Sequence, residues 1–310
     1  LYPHPILGSK YSVWPLYNLA SGIDDHLMGI THIIRGKEHL TNEVRQRYMY
    51  TYFNWSYPET IHYGRLKVTG AILSKSKIRL GVDEGFFTGY DDPRLATFKA
   101  LRRRGIVPQA IRKIIIEIGP KTTDSIISWE NLYAYNRKIL DSTSNRYFFV
   151  TTPIKLIVEK IYKPYKTTIP LHPDYKQRGN RSFTVKPTNN TAAFHVSSND
   201  IKLFKKGKII RLMELFNLKI NKVDTQEVKA TFHSEPYSEA KKIGAPLIHW
   251  IPFGEGVKAE VVMPNASIIE GVAEDECRKL SEGTIIQFER FGFVRIDQQK
   301  EYLTAYFTHI

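Results

Sequence analysis

The stretch YNLASGIDDHLMGITHIIRGKEHL, residues 17–40, decides how the rest of the chain is read. Apolar residues dominate it, yet polar side chains break the apolar runs at several points, as the lining of a pocket would. The run Gly29-Ile30-Thr31-His32-Ile33-Ile34 predicts a short buried strand. Arg35 and Gly36 follow it. A guanidinium can hold a carboxylate through two parallel N–H donors, and a neighbouring glycine lets backbone come close. The pair Asp24-Asp25 is open to two readings: a metal site, or a turn with a helix cap. The histidines at 26, 32 and 39 miss the i, i+4 spacing of a helical zinc site.

A second stretch lies downstream. AILSKSK, residues 71–77, alternates small hydroxyls with lysines after a glycine-marked approach, Arg65 to Gly70. The plain reading is a solvated loop. The sharper reading is a mobile clamp for phosphate, because an ammonium on a long stem can follow phosphate charge as it moves. There is no GxxxxGK[ST] and no glycine-rich dinucleotide fingerprint, so this is not a P-loop.

A length of 310 residues suggests two or three domains, and 42% apolar residues suffices for real cores. Lys and Arg number 45 against 31 Asp and Glu, a net charge of +14 that favours a polyanionic partner, most simply nucleic acid. Cys277 is the only cysteine, which excludes an intrachain disulfide and a cysteine zinc site and fits a reducing cytoplasm. No run approaches the roughly 18 apolar residues of a membrane helix. The opening Leu1-Tyr2-Pro3-His4-Pro5 lacks a signal-peptide pattern, and it reads as mid-domain, so a fragment is expected.

Residues 1–90 read as mixed α/β, with a helix over 41–53, Thr41 as its cap, and Val44, Tyr48 and Tyr52 on one face. Residues 91–145 read as helical. A first helix starts at Asp92-Pro93, with Leu95, Phe98 and Leu101 in register and Gly105 as stop. A second runs from Pro108 with Ile111, Ile114, Ile115 and Ile118, and a third from Ser128 with Leu132, Tyr135 and Ile139. From Arg146 the pattern turns to short strands, including 154–158, 208–212, 258–262, 284–288 and 292–296, parted by Pro, Asn and Gly. We expect two β-barrels: a proximal one from 146–235 plus part of the C-terminal segment, and a distal one mainly from 236–310.

Residues 17–40 resemble the second half of the catalytic domain of class I glutamyl-tRNA synthetases. AILSKSK stands where that family carries its KMSKS loop. Gly89 to Thr97, and on through Leu101 to Ile106, is similar to the helical subdomain that follows. The C-terminal segment resembles the two barrels of the archaeal and eukaryotic type and of glutaminyl-tRNA synthetase. The resemblance covers nearly the whole chain. It implies α/β plus all-β architecture: half of a Rossmann-type catalytic domain, a helical subdomain and two anticodon-binding β-barrels. It implies a cytoplasmic ligase whose parent enzyme joins glutamate to tRNA(Glu), with tRNA(Gln) as a second acceptor, through a glutamyl-adenylate made with ATP and Mg²⁺. A glutaminyl-tRNA synthetase and a non-catalytic tRNA-binding module are the alternatives.

The resemblance also assigns residues. Lys75 matches the last lysine of KMSKS, which stabilises the departing pyrophosphate, and Ser74 and Ser76 match its serines. Ile72 stands where the first lysine is expected, a departure from the pattern. Tyr17, Asn18 and Arg35 match the glutamate pocket, with Arg35 on the side-chain carboxylate, and Glu38 matches a position at the ATP site. In the barrels Gln287 and Arg290 match residues that read anticodon bases, and Arg146, Lys202 and Arg211 fall at similar positions. Arg102-Arg103-Arg104 is either a solvated helix end or a contact to the tRNA backbone. The family's second signature, HIGH, has no counterpart here, so this polypeptide alone is expected not to form glutamyl-adenylate.

Overall fold

The computed structural model describes residues 3–310. Two units are distinguished: residues up to Thr69 with Lys113–Trp129, and Gly70–Arg112 with Glu130–Ile310. In the first, α1 (Tyr17–Leu27) precedes β1 (His32–Gly36), a 3-10 turn at Lys37–His39, α2 (Leu40–Tyr52) and β2 (Glu59–Tyr63). β1 and β2 pair in parallel, with Arg35 opposite His62. Parallel strands need a crossover, and α2 supplies it. A second parallel pair joins β3 (Leu66–Val68) to β4 (Ser125–Ile127).

The strand expected near Ile34 is present, but its buried residues are Arg35 and Gly36, while Ile34 is 67% exposed. The helix expected over 41–53 is present too, but its face is different. Val44, Tyr48 and Tyr52 are exposed, and Gln46 and Tyr50 are buried. Tyr50 is held there because its hydroxyl donates to Gly22 O at 2.7 Å and its ring meets Trp55 and Tyr57 edge-on. Thr41 is not the cap; His39 precedes the helix without a side-chain cap bond.

In the second unit α3 (Lys75–Asp83) and α4 (Phe98–Arg103) share a small core of Ile78, Phe87, Leu95 and Ala100. Gly81 matters here: a Cβ would stand 2.6 Å from the Phe87 ring, so only glycine lets α3 lie on it. The helix expected from Asp92 starts at Thr97 instead. The Thr97 side chain accepts from Ala100 N at 3.1 Å, which makes it the cap. Asp92 is used elsewhere, accepting from Thr88 N and from the Arg94 guanidinium, and Phe98 points outward. α5 (Pro108–Ile118) and α6 (Trp129–Thr143) are present where expected, but of the predicted faces only Ile114 and Leu132 are fully buried; Ile115 is exposed, Ile111, Ile118, Tyr135 and Ile139 are half-buried, and α6 buries Asn136 and Leu140 as well.

The remainder is two seven-stranded sheets. The first runs β14 (Leu247–Ile248), β11 (Ile209–Leu212), β12 (Asn217–Val223), β13 (Glu227–Ser234), β7 (Pro153–Glu159), β10 (Thr191–Ser197), β15 (Ile251–Pro252). It wraps a core that includes Leu156, Phe194, Phe216 and Trp250, and a hairpin of β8 (Tyr165–Pro170) and β9 (Asn180–Val185) lends Ile169 and Phe183 to it. The second runs β5 (Arg146–Tyr147), β18 (Ile285–Phe288), β19 (Gly292–Gln299), β20 (Leu303–His309), β16 (Val257–Val262), β17 (Ile268–Ala273), β6 (Phe149–Thr151). Its core is Phe149, Phe288, Val294 and their neighbours. The alternation of burial along β7 and β9 is the period-2 signature of a sheet with one face inward. A short helix, α7 (Tyr237–Lys242), lies between β13 and β14 in sequence.

Candidate active site and nucleic-acid interface

Arg35 is the centre of the first unit's polar network. It is only 7% exposed. Its Nη1 donates to Gln46 Oε1 at 2.9 Å and its Nη2 donates to the Tyr57 hydroxyl at 2.9 Å. Gln46 in turn donates to Asn18 O at 3.1 Å and Ser21 Oγ at 2.9 Å, which ties β1, α2 and α1 together. Both partners of the guanidinium are neutral. Arg35 Nε and Asn18 Oδ1 are buried with no hydrogen-bond partner among the described residues. A buried cation whose charge is not matched is costly, so such a site favours an anion. Burial raises the Asp25 carboxyl, with Arg35 pulling the other way.

Tyr17, at the start of α1, is half exposed, and its ring lies tilted at 4.9 Å from the His39 ring. Thus Asn18 and Arg35 are linked through Gln46, and Tyr17 is the residue before Asn18 on α1. The Glu38 carboxylate folds back over Gly36, where a Cβ would lie 2.4 Å from it and displace it. Glu38 then borders an open cavity of about 420 Å³ with Lys37, Arg65 and Asp124. The Lys37 ammonium, 2.6 Å away, holds the Asp124 carboxyl down to about 2. Asp24 and Asp25 lie inside α1, so they form neither a turn nor a cap. Among the described residues no group of three or more His, Cys, Asp or Glu converges as a metal site.

In the second unit, Ser74 occupies the N-cap of α3 and Lys75 its first turn. The Ser74 and Ser76 hydroxyls lie 3.0 Å apart, and all of Ser74 to Lys77 is exposed. The first turn holds no acidic residue. Lysines at a helix N-terminus repel the positive end of the helix dipole, so an anion there would be stabilised twice over. The stretch read as a loop is thus the start of a helix.

The two sheets meet through buried charge. Arg181, on β9, lies with Nε 3.4 Å from Glu274 Oε2 and also bonds Glu289 through Nη2. Burial pushes the Glu274 carboxyl up to about 7 despite Arg181 and a 2.8 Å bond from Phe148 N. Arg290 donates to both Asp200 oxygens, at 3.0 and 2.6 Å. Burial, and then Arg290, lower His249 to about 4.

The predicted RNA-reading residues are distributed around this junction. Gln287 and Arg146 are direct neighbours in the β18–β5 register. Arg146 also reaches Asp141 at 3.2 Å. Lys202 is exposed on the 3-10 segment Ser198–Leu203 that carries Asp200, the partner of Arg290. Arg211 is buried in its own sheet, donating to Asn217 Oδ1 and Glu235 O. Arg102 is exposed, Arg103 bridges Asp91 and Asp297, and Arg104 is 2% exposed. The three arginines therefore have three different environments. Sequence reading missed Gln46 and Tyr57, the residues that hold Arg35; their only signal was polarity on an otherwise aromatic helix and loop.

A model of tRNA synthetases class I (E and Q), catalytic domain, matches residues 2–142. Two models of the anti-codon binding domain of the same class match residues 144–235 and 247–297. A glutamate–tRNA ligase of Pyrococcus furiosus is 50% identical over 311 residues, covering 99% of this chain and 53% of the relative. One from Thermococcus kodakarensis is 50% identical over 310 residues, and one from Methanococcus maripaludis 43% over 308, with 53% and 54% of each relative covered. The chain thus spans about half the length of the curated relatives it matches.

Proposed function

We propose that this chain, which belongs to the class I (E and Q) tRNA synthetases, carries the amino-acid pocket, the phosphate clamp and the RNA-binding part of a ligase that joins glutamate to tRNA(Glu). The observation that carries this reading is Arg35: a buried guanidinium with neutral partners and no carboxylate of its own. A glutamate side chain supplies the missing charge, and a glutamine side chain does not. Tyr17 and Asn18 complete the pocket, and Glu38 borders the ATP site.

In activation, an oxygen of the glutamate α-carboxylate bonds to the α-phosphorus of ATP, and the bond to the β-phosphate oxygen breaks. Pyrophosphate leaves. Lys75, helped by the Ser74 and Ser76 hydroxyls and the α3 N-terminus, offsets the charge that grows on it. A terminal hydroxyl of tRNA then takes the glutamyl group, and AMP leaves. Mg²⁺ enters as part of the MgATP substrate, and no residue of this chain is assigned to it. Gln287, Arg290, Arg146, Lys202 and Arg211 serve RNA recognition, Arg211 from inside its sheet. A cytoplasmic setting fits the lone cysteine, and among the described residues no helix is long and apolar enough to cross a membrane.

The test is ATP–pyrophosphate exchange by the full-length protein with glutamate and with glutamine, followed by charging of tRNA(Glu) and tRNA(Gln). Glutamate is expected to be preferred. Arg35→Met is expected to lower kcat/KM for glutamate on the order of 10²-fold, since truncating one partner of a buried charge pair costs about 2–5 kcal/mol. Equal use of glutamate by wild type and variant, or a preference for glutamine, would overturn the assignment.

A further inference from the structure

The outer face of the proximal sheet holds a groove that the activity above does not use. It is a cavity of about 570 Å³ between β7, β10 and the turn after β15, walled on one side by the segment following β9. Its floor is small, with Thr191 and Ala193 on β10 and, opposite Ala193, Ile157 on β7. At one end stands Phe253, in the turn Pro252-Phe253-Gly254. The turn is pinned by Phe253 N donating to Ala193 O at 2.9 Å, and by the left-handed Gly254 at φ 83°. Nothing in that turn geometry needs an aromatic side chain, yet Phe253 is present and 48% exposed.

Its surroundings are arranged around the ring. Lys155 Nζ lies 4.7 Å from the ring centroid, and the His195 ring packs at 4.6 Å. His195 accepts from Gly254 N through Nε2 at 3.4 Å, and burial lowers its pKa, so it stays neutral near pH 7 and adds no repulsion to the lysine. Lys186 enters from the opposite wall. Lys155 and Lys186 form no ion pair among the described residues, as most lysines of this unit do not; the Lys186 ammonium acts on the Glu255 carboxyl, pulling it down against the rise that burial causes. Glu255 sits at the rim as an acceptor.

We propose that this groove holds one unstacked nucleotide of a bound RNA, its base lying on Phe253 and its phosphate between Lys155 and Lys186. A flat ring flanked by two ammonium groups matches the two halves of a nucleotide, and a base stacked on an aromatic side chain is a general mode of single-stranded RNA recognition. The Glu255 carboxylate accepts from an exocyclic amine, which favours a base that carries one. The inference rests on the reading of this chain as RNA-binding.

The experiment titrates the full-length protein with a tRNA transcript over a range of salt, for wild type, Phe253→Leu, Phe253→Trp and Lys186→Gln, with ATP alone as a separate ligand. Phe253→Leu is expected to weaken tRNA binding about tenfold, within the 1–3 kcal/mol of one stacked base, and Phe253→Trp to retain it. Lys186→Gln is expected to lower the slope of log affinity against log salt by about one. Unchanged melting temperatures exclude a folding defect, and Phe253→Trp keeps the test open if Phe253→Leu unfolds. If wild type binds tRNA and the variants match it in affinity and salt slope, this inference fails while the proposed function stands. Loss of ATP binding with tRNA binding kept would make the groove a free-nucleotide site and also overturn it. No tRNA binding by wild type would overturn both.

Discussion

Glu274→Gln is expected to abolish most of the loss of stability that the chain suffers between weakly acid and weakly basic pH. The reason lies in the count of charges at the sheet junction. One guanidinium, Arg181, serves two carboxylates, Glu274 and Glu289. Glu289 keeps some contact with water, at 19% side-chain exposure, whereas Glu274 has 1%. The deeper group therefore takes the proton, and its pKa rises from 4.5 to about 7. At 1.36 kcal/mol per unit, a rise of this size corresponds to about 3 kcal/mol. The folded value lies above the unfolded one, so this contribution is fully present below pH 4.5 and is lost as pH rises through 7. Glutamine keeps the shape and an acceptor for Phe148 N but cannot ionise. Urea unfolding between pH 5 and 8.5, followed by the fluorescence of the buried Trp250, measures the difference. The variant should gain on wild type steadily, by about 3 kcal/mol at the basic end. Parallel curves for the two proteins would refute the placement of the proton on Glu274.

Two further outcomes follow from the second unit. Lys75→Ala in the full-length protein should slow ATP–pyrophosphate exchange on the order of 10²-fold or more, with tRNA affinity nearly unchanged; unchanged exchange would remove Lys75 from the leaving-group site. Gly81→Ala should destabilise by about 1–3 kcal/mol, because the new methyl meets the Phe87 ring, and adding Phe87→Leu should restore part of the loss. A neutral Gly81→Ala in thermal melts would show that α3 does not lie on that ring.

What could be read from the sequence was what depends on near neighbours. The isoleucines of α5 and the leucines of α6 recur at helical spacing, and the stops at Gly105 and Gly119 have φ of 84° and 66°, as residues after a helix end often do. All five quoted strand segments fall on strands of the two sheets. The start of α4 was misjudged because Asp92 and Thr97 are both good caps, and only the contact of Asp92 with Thr88 and Arg94 decides between them. The face of α2 was misjudged because its apolar stripe is real but exposed in this chain, while Gln46 and Tyr50 are drawn inward by hydrogen bonds to residues 11 and 28 positions away. No periodicity reports a hydrogen bond of that reach.

The same limit applies to the arginines, and there it bears on mechanism. Position in a motif marks Arg290 as a base reader, but it does not show that Asp200, 90 residues earlier, grips both of its terminal nitrogens. Arg290 also sits at φ 61°, a conformation that costs a non-glycine residue free energy unless its surroundings impose it. Arg290 lies in the turn between β18 and β19, which is closed by Phe291 N donating to Phe288 O at 3.0 Å. A guanidinium fixed on one edge loses little entropy when its remaining edge meets a ligand, so under the proposed RNA-binding reading the Asp200 carboxylate orients Arg290 rather than competing with RNA. Arg146 has a single bond to Asp141 and Arg211 is held by the Asn217 amide and Glu235 O, so neither has a carboxylate on both terminal nitrogens; under the proposed reading Lys202, with no ion pair among the described residues, is the one suited to a phosphate, where charge matters more than direction.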